Sequence, residues 1–157
     1  MVKKKTKKAN LSLIRNQIDE VDNSILKLLS KRANLVVEAG ESKENIGDTS
    51  YYKPEREAKI INTLISKNKS RLTQNHIKNI YREIISACFS LEKKIEVFFL
   101  GPQGTYSELA AIDHFGRSAK RVSCSDIAQI FTKINEENSF GIVPVENSSE
   151  GSVNQTL

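Results

Sequence analysis

Apolar residues recur along the first part of the chain at alternating steps of four and three, which is the period of an amphipathic helix. The pattern predicts one long helix over residues 11–45, with an apolar stripe made of Ile14, Ile18, Val21, Ile25, Leu28, Leu35 and Ala39. At 1.5 Å per residue this helix is about 50 Å long, whereas a compact domain of about 90 residues is only about 25–30 Å across. The candidate helix breakers, Gly40 and Gly47, both come late. We therefore expect a second copy of the chain to cover the far half of the helix.

Two shorter helices are predicted to follow the long one. Pro54 suits the first turn of a helix that carries Ile60, Ile61 and Leu64. Thr73 is a suitable cap for a third helix over residues 74–93. The pattern thus predicts an all-α segment of three helices.

The pattern changes after about residue 96, where short apolar runs begin to alternate with helical ones. It predicts strands at 97–100, 121–123 and 140–145, and helices at 107–115 and 125–135. The order β-α-β-α-β is typical of a largely parallel sheet. Because three strands are few for such a domain, we expect an incomplete α/β segment.

Composition and charge narrow the possible partners. The formal net charge is +5, and much of it lies in residues 1–10, which we expect to be a disordered basic tail before a helical domain at 11–93 and an α/β segment at 97–157. The tail has no interleaved aromatic residues and no groove-reading motif, so we expect no nucleic-acid partner.

No apolar run approaches the roughly 20 residues of a membrane span. The two cysteines have no metal-ligand spacing, which favours a reducing, cytoplasmic setting without a metal or cofactor.

One cation lies on the apolar stripe, where a charge is unfavourable unless it is paired or reaches water. This residue is Arg32; Lys43 lies three turns further on the same side, and Arg15 flanks the start of the stripe. Glu57 and Asp22 are internal candidates for the anionic partner. A small dianionic ligand is the other candidate. The plainer alternative is that these cations are solvated or form salt bridges between subunits.

Three stretches of the first segment resemble the all-helical chorismate mutase family: LIRNQIDEVDNSILKLLSKRANLVVEAGESK, YYKPEREAKII and IYREIISACFSLE. Together they cover nearly all of residues 11–93. The resemblance implies an intertwined homodimer that converts chorismate, a small dicarboxylate, into prephenate. That pericyclic rearrangement involves no nucleophile and no covalent intermediate. The enzyme has to hold a compact conformer and stabilise the charge that grows on the breaking ether oxygen.

The resemblance also implies a role for each matching residue. Arg15 and Arg32 would bind the substrate carboxylates, with Arg15 reaching in from the other subunit. Lys43 would donate to the ether oxygen, and Glu57 would hold the substrate hydroxyl, with Arg56 in support.

Two positions depart from the family pattern. Cys88 stands where the family often has Ser, and Glu92 stands where some members have Gln as a second donor to the ether oxygen. An ionised carboxylate cannot donate a hydrogen bond. We therefore expect Glu92 to act in its protonated form.

The stretches FLGPQGTYSELAA and VPVENSSEGSVNQTL resemble the opening of prephenate dehydratase. The resemblance implies a prephenate-binding loop and a helix N-terminus with backbone donors at Gly104 and Thr105. The candidate loop residues are Glu146, Asn147, Ser148 and Ser149. We expect this segment to be a truncated dehydratase domain that does not catalyse by itself.

The order of the two resemblances matches the bifunctional family that joins both activities. The leading hypothesis is a homodimeric chorismate mutase of phenylalanine biosynthesis. Two alternatives stay open: a prephenate dehydratase, and a non-catalytic helical dimerisation module. Chorismate consumption separates the first hypothesis from the module, and phenylpyruvate formation from prephenate tests the dehydratase.

Overall fold

A computed structural model of the chain describes residues 2–46, 52–92, 94–134, 138–147, 151–153 and 155–156. Three helices form its first segment: α1 (Val2–Asn45), α2 (Pro54–Lys67) and α3 (Gln74–Glu92). This confirms the predicted all-α segment with a very long first helix. At 1.5 Å per residue, α1 is about 66 Å long.

Helix α1 differs from the prediction at its start. It begins at Val2, so the backbone of residues 2–10 is helical where a disordered tail was expected. Lysine and alanine, which make up most of this stretch, are good helix formers and extend a helix that has already nucleated. Gly40 does not break the helix either, since α1 continues to Asn45. The other expected breaker, Gly47, lies outside the described residues.

The two shorter helices begin where the sequence predicts. Pro54 is the first residue of α2, and the carbonyl oxygen of Lys53 accepts backbone bonds from Arg56 and Glu57. Thr73 caps α3, because its Oγ1 accepts a hydrogen bond from the backbone N–H of His76 at 3.2 Å. Both starts thus rest on local chemistry that can be read from the sequence.

The second segment is a parallel three-stranded sheet with helices between its strands, as predicted. Its elements in chain order are β1 (Glu96–Leu100), α4 (Tyr106–Phe115), β2 (Lys120–Cys124), α5 (Ile127–Lys133) and β3 (Ser139–Ile142). The strand order is β2-β1-β3, so the first strand lies in the centre. Phe98 of β1 is in register with Val122 on one side and Gly141 on the other.

The end of the described chain contains a hairpin that the sequence does not predict. Strand β4 (Glu146–Asn147) pairs antiparallel with β5 (Gly151–Ser152). The strand predicted over 140–145 ends earlier, at Ile142. Two-residue strands have no hydrophobic period, so only their pairing reveals them.

Burial is concentrated around the sheet. Val97, Phe99 and Ile130 are the largest fully buried side chains among the described residues. The apolar stripe of α1 is exposed in the single chain, from 45% at Ile14 to 67% at Leu28. The sheet therefore has its own core, whereas the long helix has an apolar face that its own chain leaves uncovered.

Helix α3 joins the two segments by packing against the end of α4. The Ser86 hydroxyl donates to the carbonyl oxygen of Phe115 at 2.7 Å. Gly116 follows with a φ of +76°, and a Cβ there would lie 2.5 Å from the Cβ and Oγ of Ser86. Beside this contact, the Tyr52 ring lies 5.4 Å from Phe115 and 5.1 Å from Phe140, between centroids. None of the helices in the described part of the chain has the length and apolar character needed to cross a membrane.

Candidate active site

The long helix and the third helix bring two predicted site residues into direct contact. Lys43 lies in the last turn of α1 and Glu92 is the last residue of α3. The Lys43 ammonium donates to Oε1 of Glu92 at 2.7 Å. The Glu92 side chain is only 5% exposed and that of Lys43 is 26% exposed. A charge-assisted hydrogen bond of this length, largely shielded from water, is stronger than a surface ion pair.

Arg32 and Cys88 lie on the same side of this helix pair. Arg32 is half-buried, and its Nη1 donates to the carbonyl oxygen of Ile84 at a long 3.5 Å. Cys88 is buried one turn after Ile84 and one turn before Glu92, so the three share a face of α3. Two cations, a carboxyl group and a thiol thus lie along the contact between α1 and α3, as the periodicity of α1 predicted for Arg32 and Lys43.

Glu57 is placed elsewhere. It lies on α2, and its Oε1 is 3.6 Å from Nε of Arg82 on α3. Arg82 precedes Ile84 by two residues, a rotation of about 200° around the helix, so it lies on a different face from Ile84, and it is about 15 Å along the axis from Glu92. The sequence predicts Glu57 as an internal partner of Arg32 and Lys43, but in the structure Glu57 pairs with Arg82 and Lys43 contacts Glu92. Asp22, the other candidate, is exposed on α1.

The Glu57–Arg82 pair belongs to a charged group at the junction with α4. Nη1 of Arg82 is also 3.6 Å from Asp113, and the Tyr52 hydroxyl lies 3.1 Å from Nε2 of His114. Burial raises the pKa of Glu57, an effect that Arg82 partly offsets. Burial, with Glu57 nearby, raises the pKa of Tyr52 to about 12. Burial and Arg82 together lower the pKa of His114.

Sequence reasoning missed Arg82. It sits between apolar positions of α3 and looks like an ordinary surface cation of an amphipathic helix. In the structure Glu57 of α2 and Asp113 of α4 both lie beside it, and its side chain is 17% exposed.

Two predicted site residues are exposed in the single chain. Arg15 is exposed and precedes Arg32 by 17 residues on one continuous helix, which is about 25 Å. A rigid helix cannot bring the two together. Arg56, in the first turn of α2, is exposed as well.

The candidate prephenate-binding residues lie at the other end of the chain. Thr105 precedes α4 and its Oγ1 donates to the carbonyl oxygen of Leu100 at 3.2 Å. The backbone N–H of Gly104 donates to Oε2 of Glu108 at 2.7 Å, so the chain itself uses the donor expected for a ligand carboxylate. Glu146 is exposed on β4. Ser148 and Ser149 lie outside the described residues, as does the side chain of Asn147.

The fold and the site define a class of protein: three helices with a cation–carboxyl cluster between the first and third, followed by a parallel α/β segment. Comparison with family models agrees with this division. The model for chorismate mutase type II matches residues 14–93, and the model for prephenate dehydratase matches residues 97–157. The chain belongs to the chorismate mutase type II family.

Curated relatives match almost the whole chain. It is 43% identical over 152 residues to the "Bifunctional chorismate mutase/prephenate dehydratase" of Aquifex aeolicus, and 36% identical over 152 residues to that of Pseudomonas aeruginosa. The alignments cover 94% of this chain and 42% of each relative. The protein of the same description from Escherichia coli is 27% identical over 162 residues, covering 92% of this chain and 42% of the relative. The chain thus spans about two fifths of the length of the curated relatives it matches.

Proposed function

We propose that the chain is a homodimeric chorismate mutase that converts chorismate to prephenate in phenylalanine biosynthesis. The observation that carries this proposal is the enclosed Lys43–Glu92 pair, with Arg32 on the same side of α1. Cations on the apolar face of a helix pair are unfavourable unless anions accompany them. A dicarboxylate substrate would supply two such negative charges beside Arg32 and Lys43.

The proposed mechanism is electrostatic. Arg32 binds a substrate carboxylate and orients the compact conformer, while Lys43 donates to the ether oxygen as its bond breaks. Glu92 is the second donor to that oxygen, and Cys88 packs beside it. Donors aimed at developing charge in an enclosed site act more strongly than they would in water. No group on this surface has to act as a nucleophile.

Glu57 and Arg56 are proposed to contact the substrate from the start of α2. Glu57 would accept the hydrogen bond of the substrate hydroxyl. In the structure its carboxylate pairs with Arg82, so this role requires a shift of the α2 start toward α1. Such a shift is compatible with a second copy packing against the uncovered face of α1.

The homodimer is supported by two independent observations. The apolar stripe of α1 is about half exposed in the single chain. Arg15 is also about 25 Å along the helix from Arg32, so it can complete a site only in a neighbouring copy. A second copy that covers the stripe would place each Arg15 at the partner's cluster.

Prephenate dehydratase is the second candidate activity, because its family model matches residues 97–157. The candidate contacts with prephenate are Thr105, Glu146, Asn147, Ser148 and Ser149. Phenylpyruvate formation from prephenate tests this second candidate. A cytoplasmic setting is proposed for both activities, and the free thiols of Cys88 and Cys124 support it.

Chorismate consumption by the purified chain tests the proposal, with Arg32→Ala as the decisive variant. Removing a charged donor to a carboxylate costs about 1.5–3 kcal/mol, so kcat/KM should fall at least about tenfold. Arg71→Ala is the matched control, because Arg71 is exposed in the turn between α2 and α3. If the wild-type chain consumes no chorismate while remaining a folded dimer, the non-catalytic dimerisation module is the correct reading.

A further inference from the structure

Gly40 lies directly beneath the side chain of Glu92. It is buried on α1, three residues before Lys43 and therefore on the same side of the helix. A Cβ at Gly40 would lie 2.7 Å from Cγ of Glu92 and 3.2 Å from both its Cδ and its Oε1. No side chain larger than a hydrogen fits there with Glu92 in its present position.

The backbone gives no reason for a glycine at this position. Gly40 lies within a continuous helix and has no positive φ, so any L residue could adopt its conformation. A glycine inside a helix is also less favourable than alanine, because it loses more conformational freedom on folding. Local helix stability therefore argues against Gly40, and the close approach of Glu92 is the feature that argues for it.

The atom that would be displaced is not the free end of a side chain. Cγ of Glu92 lies in the middle of the chain, so moving it requires rotation about the Cα–Cβ bond. Clearing a methyl group either rotates Glu92 off its staggered state, which is unfavourable, or moves it to another state. In both cases the carboxyl group moves, and the 2.7 Å contact between Oε1 and Nζ of Lys43 is lengthened or lost.

We propose that Gly40 is a positioning residue: its missing side chain lets Glu92 cross α1 and align its carboxyl group with Lys43. The geometric part stands on the contacts described above, whereas the effect on turnover rests on the proposed mutase function. Gly40 itself touches no reacting atom. It acts through Glu92 and Lys43, the two groups proposed to donate to the ether oxygen.

The test is Gly40→Ala in the full chain, with Ser42→Ala as the matched control. Ser42 is exposed two residues away, so its replacement by alanine raises helix propensity without approaching Glu92. Ser42→Ala should unfold at the same temperature as the wild type or higher, whereas in Gly40→Ala the gain in helix propensity is opposed by the loss of the Lys43–Glu92 contact. Gly40→Ala should lower kcat on chorismate by about tenfold to a hundredfold, as expected for misplaced catalytic groups, and Ser42→Ala should leave it unchanged. An unaltered kcat in a Gly40→Ala protein would overturn the proposal.

A crystal structure of the Gly40→Ala variant provides a second readout that needs no activity. An Nζ–Oε1 distance beyond hydrogen-bond range supports the proposal, and a retained contact near 2.7 Å overturns it. If the wild-type chain has no turnover, the mutase proposal fails while this structure still decides the role of Gly40. If the wild-type chain is active and Gly40→Ala has the same kcat, the mutase proposal stands and the positioning role of Gly40 is wrong.

Discussion

At the scale of single residues, Glu92 is the most informative position. Its side chain is enclosed between α1 and α3, and its Oε1 accepts the hydrogen bond of the Lys43 ammonium. A protonated carboxyl group keeps one acceptor oxygen while the other carries a donor O–H. Glu92 can therefore accept from Lys43 and still donate to an ether oxygen, provided that it binds a proton when the substrate is present.

The prediction at this scale concerns the pH dependence of mutase turnover. Turnover should fall as pH rises, because a carboxylate without a proton cannot donate to the ether oxygen. Glu92→Gln keeps a donor at every pH and should flatten this fall. The measurement is kcat/KM on chorismate from pH 5 to 9, with Glu41→Gln on the exposed side of α1 as the control. A Glu92→Gln profile that follows the wild-type profile would show that the proton of Glu92 is not used.

At the scale of elements, the packing of α3 against α4 determines how the two segments are joined. The contact consists of the Ser86 hydroxyl on the Phe115 carbonyl, the aromatic group around Tyr52, and Arg82 between Glu57 and Asp113. Asp113 is 73% exposed, so its ion pair with Arg82 contributes little. The close approach at Gly116 is the feature most sensitive to substitution.

Gly116→Ala should destabilise the chain by about 2–4 kcal/mol. About 1–3 kcal/mol comes from a side chain at φ 76° and ψ 178°, a region that only glycine readily adopts, and about 1 kcal/mol from the lost Ser86 hydrogen bond. Gly104→Ala is a matched control, since Gly104 has a φ of +83° but open space where its Cβ would lie. Urea unfolding of both variants separates the two effects. Equal losses of stability would mean that the α3–α4 contact tolerates a methyl group.

At the scale of the whole molecule, burial is unevenly divided between the segments. The sheet has a core of its own, while α1 leaves an apolar stripe uncovered. Covering each half-exposed Ile or Leu would contribute on the order of 1 kcal/mol. A second copy that binds along α1 would therefore gain several kcal/mol and would complete the proposed site with Arg15.

The proposed dimer can be tested by hydrogen exchange. The backbone amides of residues 11–93 should exchange more slowly than those of residues 97–157. The sheet has edge strands at β2 and β3, whereas a second copy covers α1 in the proposed dimer. Light scattering should give a mass of about twice 17.6 kDa. On dilution below the dimer dissociation constant, protection of α1 should fall first. Protection of α1 that does not depend on concentration, with the mass of one chain, would contradict the dimer.

Much of the fold follows from the sequence because its causes are local. The 3.6-residue period of the stripe, Pro54 at the start of α2 and the Thr73 cap each act within a few residues, and the structure confirms all three. The cations Arg32 and Lys43 are visible in the same way, because a charge on an apolar stripe departs from the period. The helical start of α1 was missed since helix propensity extends an existing helix without any apolar signal.

Only the tertiary structure decides what depends on contacts between distant residues. Lys43 and Glu92 are 49 positions apart, and Glu57 meets Arg82 instead of the stripe cations. Gly40 is a candidate helix breaker in the sequence, but in the structure its missing side chain leaves room for Glu92. A periodic pattern predicts which face of a helix is apolar, but it does not predict which other helix will cover that face. The partner of each charged side chain is therefore decided by packing.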